Sequence, residues 1–321
     1  MNDINKFQSG ILLLLIFISV LLGQVNIIGL AAGYVIIPAL IIMLFLLFIQ
    51  IPISDIGKSI KNIKFTAITV VINFIWTPIL VFLLGRVFLS NDPDLLIGFV
   101  MLMVTPCTDW YLIFIARAKG NRALGASLLP LNFILQIILL PLYILIIGGT
   151  SVKLDVVNLL TSTIVSLLIP LVLASIYRKI ILSKKGENYF EKVISKKACK
   201  FQGWFLNLAI ATMFASQGRL LITNPQVLFK LLIPILLFFI INLIIGQWIG
   251  KLFKLQYEDK VVLNLTTLAR NSPIALAIAV LSFPDKPIIA LALVIGPLIE
   301  LPVLLIISSI LLKGRKIAKV I

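Results

Sequence analysis

Three ionisable side chains stand where an apolar chain should carry none: Asp109, Arg270 and Glu300, each inside a run long enough to cross a bilayer. Such residues cost roughly 2.5–3.5 kcal/mol on membrane-insertion scales, more when isolated, so each needs a partner or a purpose. Arg270 can lock either carboxylate, which leaves at least one acid without a private counter-ion. That acid is the natural carrier of a proton or cation, because low-polarity surroundings bring carboxyl groups within reach of protonation. Glu300 is preferred for this role; Asp109 lies beside a proline and is placed to hold a cation or Arg270. Cys107, two positions before Asp109, has two readings: a small buried hydrophobe, or a ligand exposed by a helix break near Arg270.

Two prolines mark where those breaks fall. Pro106 sits at the middle of the apolar run 95–118, and Pro273 adjoins the midpoint of 261–283. Proline has no N–H and its ring clashes with the carbonyl four residues back, so the carbonyls of Leu102 and Ala269 are expected to lose their helical partners. Thr105 and Thr108 can restore some of that hydrogen bonding. One such proline would be a tolerated kink. Two at the same depth predict half-helix ends that meet near the bilayer centre and share a polar site, with Cys107, Thr108, Asn271 and Ser272 as candidate substrate contacts.

The elements that carry these residues follow from composition. Of 321 residues, 61% are hydrophobic and 12% charged, against about 25% charged in soluble domains, which excludes a water-soluble enzyme. The chain has no His, so hydrolase triads, zincin motifs and His-ligated haem are excluded. Cys107 and Cys199 alone cannot build a zinc or iron–sulfur site, and no cofactor is expected. No phosphate-binding loop is present, and the basic residues are not interleaved with stacking aromatics as nucleic-acid binding would require.

Ten spans are predicted, at 10–30, 34–53, 65–89, 95–118, 123–149, 155–178, 203–222, 228–250, 261–283 and 288–312. Lys6 ahead of Ile11–Leu22 mimics a signal peptide, but no small-residue cleavage pattern follows, so a first span is preferred. Counted on alternate sides, 22 Lys and Arg fall on the side of both termini and five on the other, Arg86, Lys153, Arg219, Lys230 and Lys286. By the positive-inside rule this predicts a multi-pass cell-membrane protein with both termini cytoplasmic. The charged run Arg178–Lys200, read as a loop, separates five spans from five. An odd number per half inverts the second half, so the chain is read as two inverted-topology repeats, 1–154 and 155–321. Pro141 and Pro302 occupy matching places in the fifth span of each half. Gly246 and Gly250 have the spacing of a helix-packing face, and Trp204 and Trp248 that of interface anchors.

The run Ile295-Gly296-Pro297-Leu298-Ile299-Glu300-Leu301-Pro302-Val303-Leu304, the fourth-span Cys107 and the paired breaks resemble the arsenite-efflux permease branch of the bile acid:sodium symporter superfamily. The resemblance runs the length of the chain, most specifically at 104–111, 269–280 and 295–304. It implies a core bundle from spans 3–5 and 8–10, in which the broken fourth and ninth helices cross, beside a panel from spans 1, 2, 6 and 7. It further implies that Cys107 and Glu300 are essential, although Thr105-Pro106-Cys107-Thr108-Asp109-Trp110 departs from the usual permease sequence. The expected activity is export of arsenite or a related metalloid, driven by proton exchange at Glu300. As(III) is soft and thiophilic, matching a thiolate better than oxygen, and one thiol grips without trapping. Two alternatives remain: a symporter of an organic anion, coupled to Na⁺ held by freed carbonyls, Thr108, Asn271 and a carboxylate, with Arg270 facing the anion; and an intramembrane hydrolase using Asp109 and Glu300 as paired acids.

Overall fold

The computed structural model describes residues 14–50, 62–107, 111–148 and 168–318, with positions 157 and 161 between them. The described residues are helical and contain no β-strand. A short helix α1 (residues 14–22) turns at 23–25 into α2 (Asn26–Gln50); α3 (Ile63–Phe88) follows. Next come the short α4 (Pro93–Met103) and α5 (Tyr111–Arg117), then α6 (Arg122–Ile147), α7 (Ile169–Tyr189) and α8 (Lys196–Thr223). The chain ends with α9 (Pro225–Leu252), the half-helices α10 (Tyr257–Leu268) and α11 (Ser272–Ser282), and the long α12 (Pro287–Ala318). Among the described residues six stretches are long and apolar enough to cross a membrane, and α4 and α11 are shorter apolar helices. Large hydrophobic side chains such as Ile27, Leu30, Tyr34, Phe229 and Ile306 point outward, as expected where lipid replaces water around the protein.

Two boundaries differ from those expected. The first loop lies at 23–25, not near 31–33, and α2 runs unbroken through Ala31-Ala32-Gly33. Small residues weaken a hydropathy profile without breaking a helix buried among others. The stretch Arg178–Lys200 is largely helical rather than a loop. Lys and Glu are good helix formers, and the reversal is concentrated at Gly186, whose φ of 75° suits a residue without Cβ. The reversal is visible in the contacts on either side: Arg178 Nη1 donates to the Ile49 carbonyl (2.8 Å) and stacks on Phe190, while Gln50 Nε2 donates to Gln202 Oε1 (3.0 Å). Farther along, Arg219 donates to Asn26, so α8 runs antiparallel to α2. Cys199 lies exposed on α8.

Segments assigned to one side by charge meet in space. The Tyr257 hydroxyl donates to the carbonyls of Ala118 (2.8 Å) and Leu311 (2.9 Å), and the Asn121 side-chain amide donates to Asp259 (3.0 Å). On the opposite side, Lys230 pairs with Asp92 at 2.7 Å and Lys286 with Asp94 at 2.8 Å. These contacts gather the segments around 118–121, 257–259 and 311 at one end of the bundle and those around 92–94, 230 and 286 at the other. Inside, α4 packs on α12 closely enough that a Cβ on Gly98 would stand 2.5 Å from the Ala292 Cβ and 3.0 Å from the Ile289 carbonyl oxygen. Gly246 and Gly250 lie against Asn264 and Lys260, packing α9 on α10. Trp204 and Trp248 are exposed.

Candidate functional site

The two breaks cross. Residues Pro106 and Arg270 form an isolated antiparallel bridge; the Cys107 N–H donates to the Ala269 carbonyl (3.0 Å) and the Asn271 N–H to the Thr105 carbonyl (2.9 Å). A two-bond fragment of β-ladder thus joins two helical breaks more than 160 residues apart. It forms because both segments have left the helix: Ala269 is extended, with φ −70° and ψ 137°.

Carbonyls at the two half-helix ends find partners outside the helix, as buried backbone requires. The Thr105 hydroxyl donates to Met101 (2.8 Å) and Leu102 (3.1 Å), supplying the partner that Pro106 denies Leu102. The Ala269 carbonyl, denied its partner by Pro273, receives Cys107 instead. Asn271 caps α11, accepting the Ile274 N–H at 3.3 Å. Pro273 then sits at the second position of a helix, where its missing N–H leaves no bond unmade.

Arg270 is 2% exposed and its guanidinium is fully engaged. It donates to the carbonyls of Met103 (3.0 Å), Leu268 (3.2 Å) and Thr267, and to Asn73 Oδ1 (3.4 Å), with the Phe238 ring 5.1 Å from its Cζ. These acceptors include the last carbonyls of α4 and α10, the negative ends of two helix dipoles. Glu300, on α12 and 5% exposed, accepts the main-chain N–H of Arg270 at 2.9 Å through Oε1.

Cys107 and Glu300 therefore grip the two sides of one peptide unit. The Ala269 carbonyl and the Arg270 N–H belong to the same peptide bond, which is trans, so they point in opposite directions. One takes the Cys107 backbone and the other the Glu300 carboxylate. Beside this unit lies a small cavity of about 10 Å³, lined in part by Met213 of α8, Ser272, Pro273, Pro297, Arg270 and Glu300. That is room for about one water. Cys107 is wholly buried and Asn271 nearly so, and neither lines the cavity. Thr108 and Asp109 lie outside the described residues.

Neutral polar residues around the crossing escaped sequence reasoning. Asn73 receives Arg270 and approaches the Thr266 carbonyl (3.5 Å), Asn132 donates to Thr266 Oγ1 (3.3 Å), and Trp76 donates to Asn242 (3.0 Å). Their signal was present as Asn and Gln inside apolar spans, the residue types that bond between membrane helices.

Crossed, broken helices held in a bundle of apolar spans define a polytopic membrane transporter. The chain belongs to the Sodium Bile acid symporter family, whose profile matches residues 37–224, more than half of the sequence. It is similar to the arsenical-resistance protein Acr3 of Corynebacterium glutamicum, 26% identical over 262 residues, covering 78% of this chain and 70% of that protein. The Acr3 protein of Alkaliphilus metalliredigens is 27% identical over 282 residues, 84% of this chain and 78% of that protein. An uncharacterized transporter of a Synechocystis species is 25% identical over 293 residues, 84% and 76% respectively.

Proposed function

We propose that this transporter exports arsenite or a related metalloid by exchange with protons, alternating access to a site at the helix crossing. The observation that carries the reading is the peptide unit Ala269–Arg270, hydrogen-bonded to Cys107 on one side and to Glu300 on the other. The thiol supplies a soft ligand for As(III). The carboxylate supplies the exchangeable proton. A carboxylate accepts an N–H bond roughly twice as strong as a neutral group does, so protonating Glu300 loosens the peptide to which the Cys107 segment is anchored. Substrate binding and proton binding thereby act on one main-chain element, and each ligand shifts the other's equilibrium.

In this reading the chain has ten spans in two inverted five-helix repeats, 1–154 and 155–321, with both termini in the cytoplasm. The cavity between α8 and the crossing then lies between a panel and a core bundle, the surfaces that must slide for access to alternate. The similarity to two arsenical-resistance proteins favours the metalloid over other cargoes. The symport of an organic anion with Na⁺ is less well served, because the carbonyls that the prolines free accept hydrogen bonds from Thr105 and Cys107.

The test is arsenite extrusion. A bacterial host lacking its own arsenite pump should become resistant when it carries this chain, and everted vesicles should accumulate arsenite. Unchanged sensitivity together with Na⁺-dependent accumulation of a carboxylate would replace the exporter reading by the symporter.

A further inference from the structure

Carbonyl oxygens at the ends of broken membrane helices are the groups that hold a coupling cation where one is used. Here four such acceptors converge: Met103 from α4, Thr267 and Leu268 from α10, and the side-chain oxygen of Asn73 from α3. All four are spent on a single positive group, the guanidinium of Arg270. The oxygens hydrogen-bonded to the guanidinium are thus carbonyl and amide oxygens, the ligand type of a bound alkali cation, while Glu300 and Cys107 act on its charge through space. Phe238 offers a ring face to the same cation.

We propose that Arg270 is a tethered cation: its guanidinium permanently fills a monovalent-cation site built from Met103, Thr267, Leu268 and Asn73, so that this transporter works without dissolved Na⁺ or K⁺. The position of the charge follows from the break. Arg270 is the second residue after α10, so its side chain can fold back over the last carbonyls of its own half-helix and reach across to those of α4. A guanidinium offers five donors in a fixed plane and stays charged, which lets one side chain satisfy carbonyls from two helices. A bound ion would have to be supplied at each cycle; a side chain need not be.

The inference deepens the transporter reading by naming what the coupling ion is not, and its test uses no arsenite. Unfolding midpoints of the purified full-length protein in detergent are compared in NaCl, KCl, guanidinium chloride at up to about 20 mM, and choline chloride, at constant ionic strength. The wild type should have one midpoint in all four salts. Arg270→Ala should be destabilised in choline and should recover saturably, by at least about 3 °C, with Na⁺ or guanidinium, as ligand linkage requires. Arg270→Lys keeps a charge in place and should show less of this recovery than the Ala variant. Saturable stabilisation of the wild type by Na⁺ would overturn the proposal. So would an Ala variant that ignores the cation, or cannot be purified in any of the salts, or a Lys variant that responds as fully as Ala. Loss of arsenite extrusion alone bears on the cargo and leaves this inference standing.

Discussion

The two helix breaks share a proline and a depth but differ in what they bring. The first opens after Met103 and carries Cys107; its Thr105 hydroxyl reaches back to Met101 and Leu102, while the Met103 and Thr105 carbonyls are met from the second break. The second is only three residues long, Ala269 to Asn271, and it satisfies others: Arg270 donates to both half-helix ends and Asn271 caps the next helix. One break presents chemistry and the other supplies the scaffold. Two breaks therefore need share only the place of the interruption, and each is then available for a separate task.

Substitutions separate these roles. The largest effect should come from Cys107→Ser, which removes the soft ligand and leaves the main-chain bond to Ala269 in place. Arsenite accumulation by everted vesicles should fall by at least about tenfold, the equivalent of about 1.4 kcal/mol of lost ligand affinity, with no change in unfolding midpoint. Equal loss of stability would erase the distinction between the two breaks.

Arg270→Met is the opposite case. It leaves carbonyls on two helices and Asn73 without their donor, and each buried acceptor left unsatisfied costs about 1–3 kcal/mol. Denaturation in detergent, measured in choline salts, should show that loss; a midpoint within a degree of wild type would deny the second break its scaffold role.

Smaller effects grade the remaining contacts. Glu300→Gln keeps an acceptor for the Arg270 N–H but loses its charge, weakening that bond by about 1 kcal/mol. Folding should survive while the pH dependence of extrusion flattens. Asn271→Ala removes the cap of α11 and should cost about 1 kcal/mol. Thr105→Val should cost a similar amount, since the Met101 and Leu102 carbonyls lose the same hydroxyl. Were the Thr105 variant the more damaging of the two by a wide margin, the first break would be the structural one.

Much of the site could be read from residue types alone. Charges and prolines are conspicuous in hydrocarbon because each is costly there, so Arg270, Glu300, Pro106 and Pro273 were found without a fold. The partner of Ala269 was not legible, since a main-chain bond to Cys107 leaves no mark on composition. Asn73 was passed over for a related reason: one amide in a span costs little to insert and gains meaning only when another helix brings Arg270 beside it. Along the chain, α2 began earlier than hydropathy indicated because Gly and Ala lower a local average without ending a helix. Charged residues, conversely, hid the helical character of 178–200, where Gly186 alone marks the reversal.

The central claim is that Cys107 and Glu300 act through the peptide they share. It is tested most directly by reconstituting the protein in liposomes with a pH-sensitive dye inside and imposing an arsenite gradient. The wild type should move protons against the flow of arsenite, and Glu300→Gln should lose the proton signal. Arsenite flux with no pH change in the wild type, or an unaltered proton signal in the Gln variant, would contradict it.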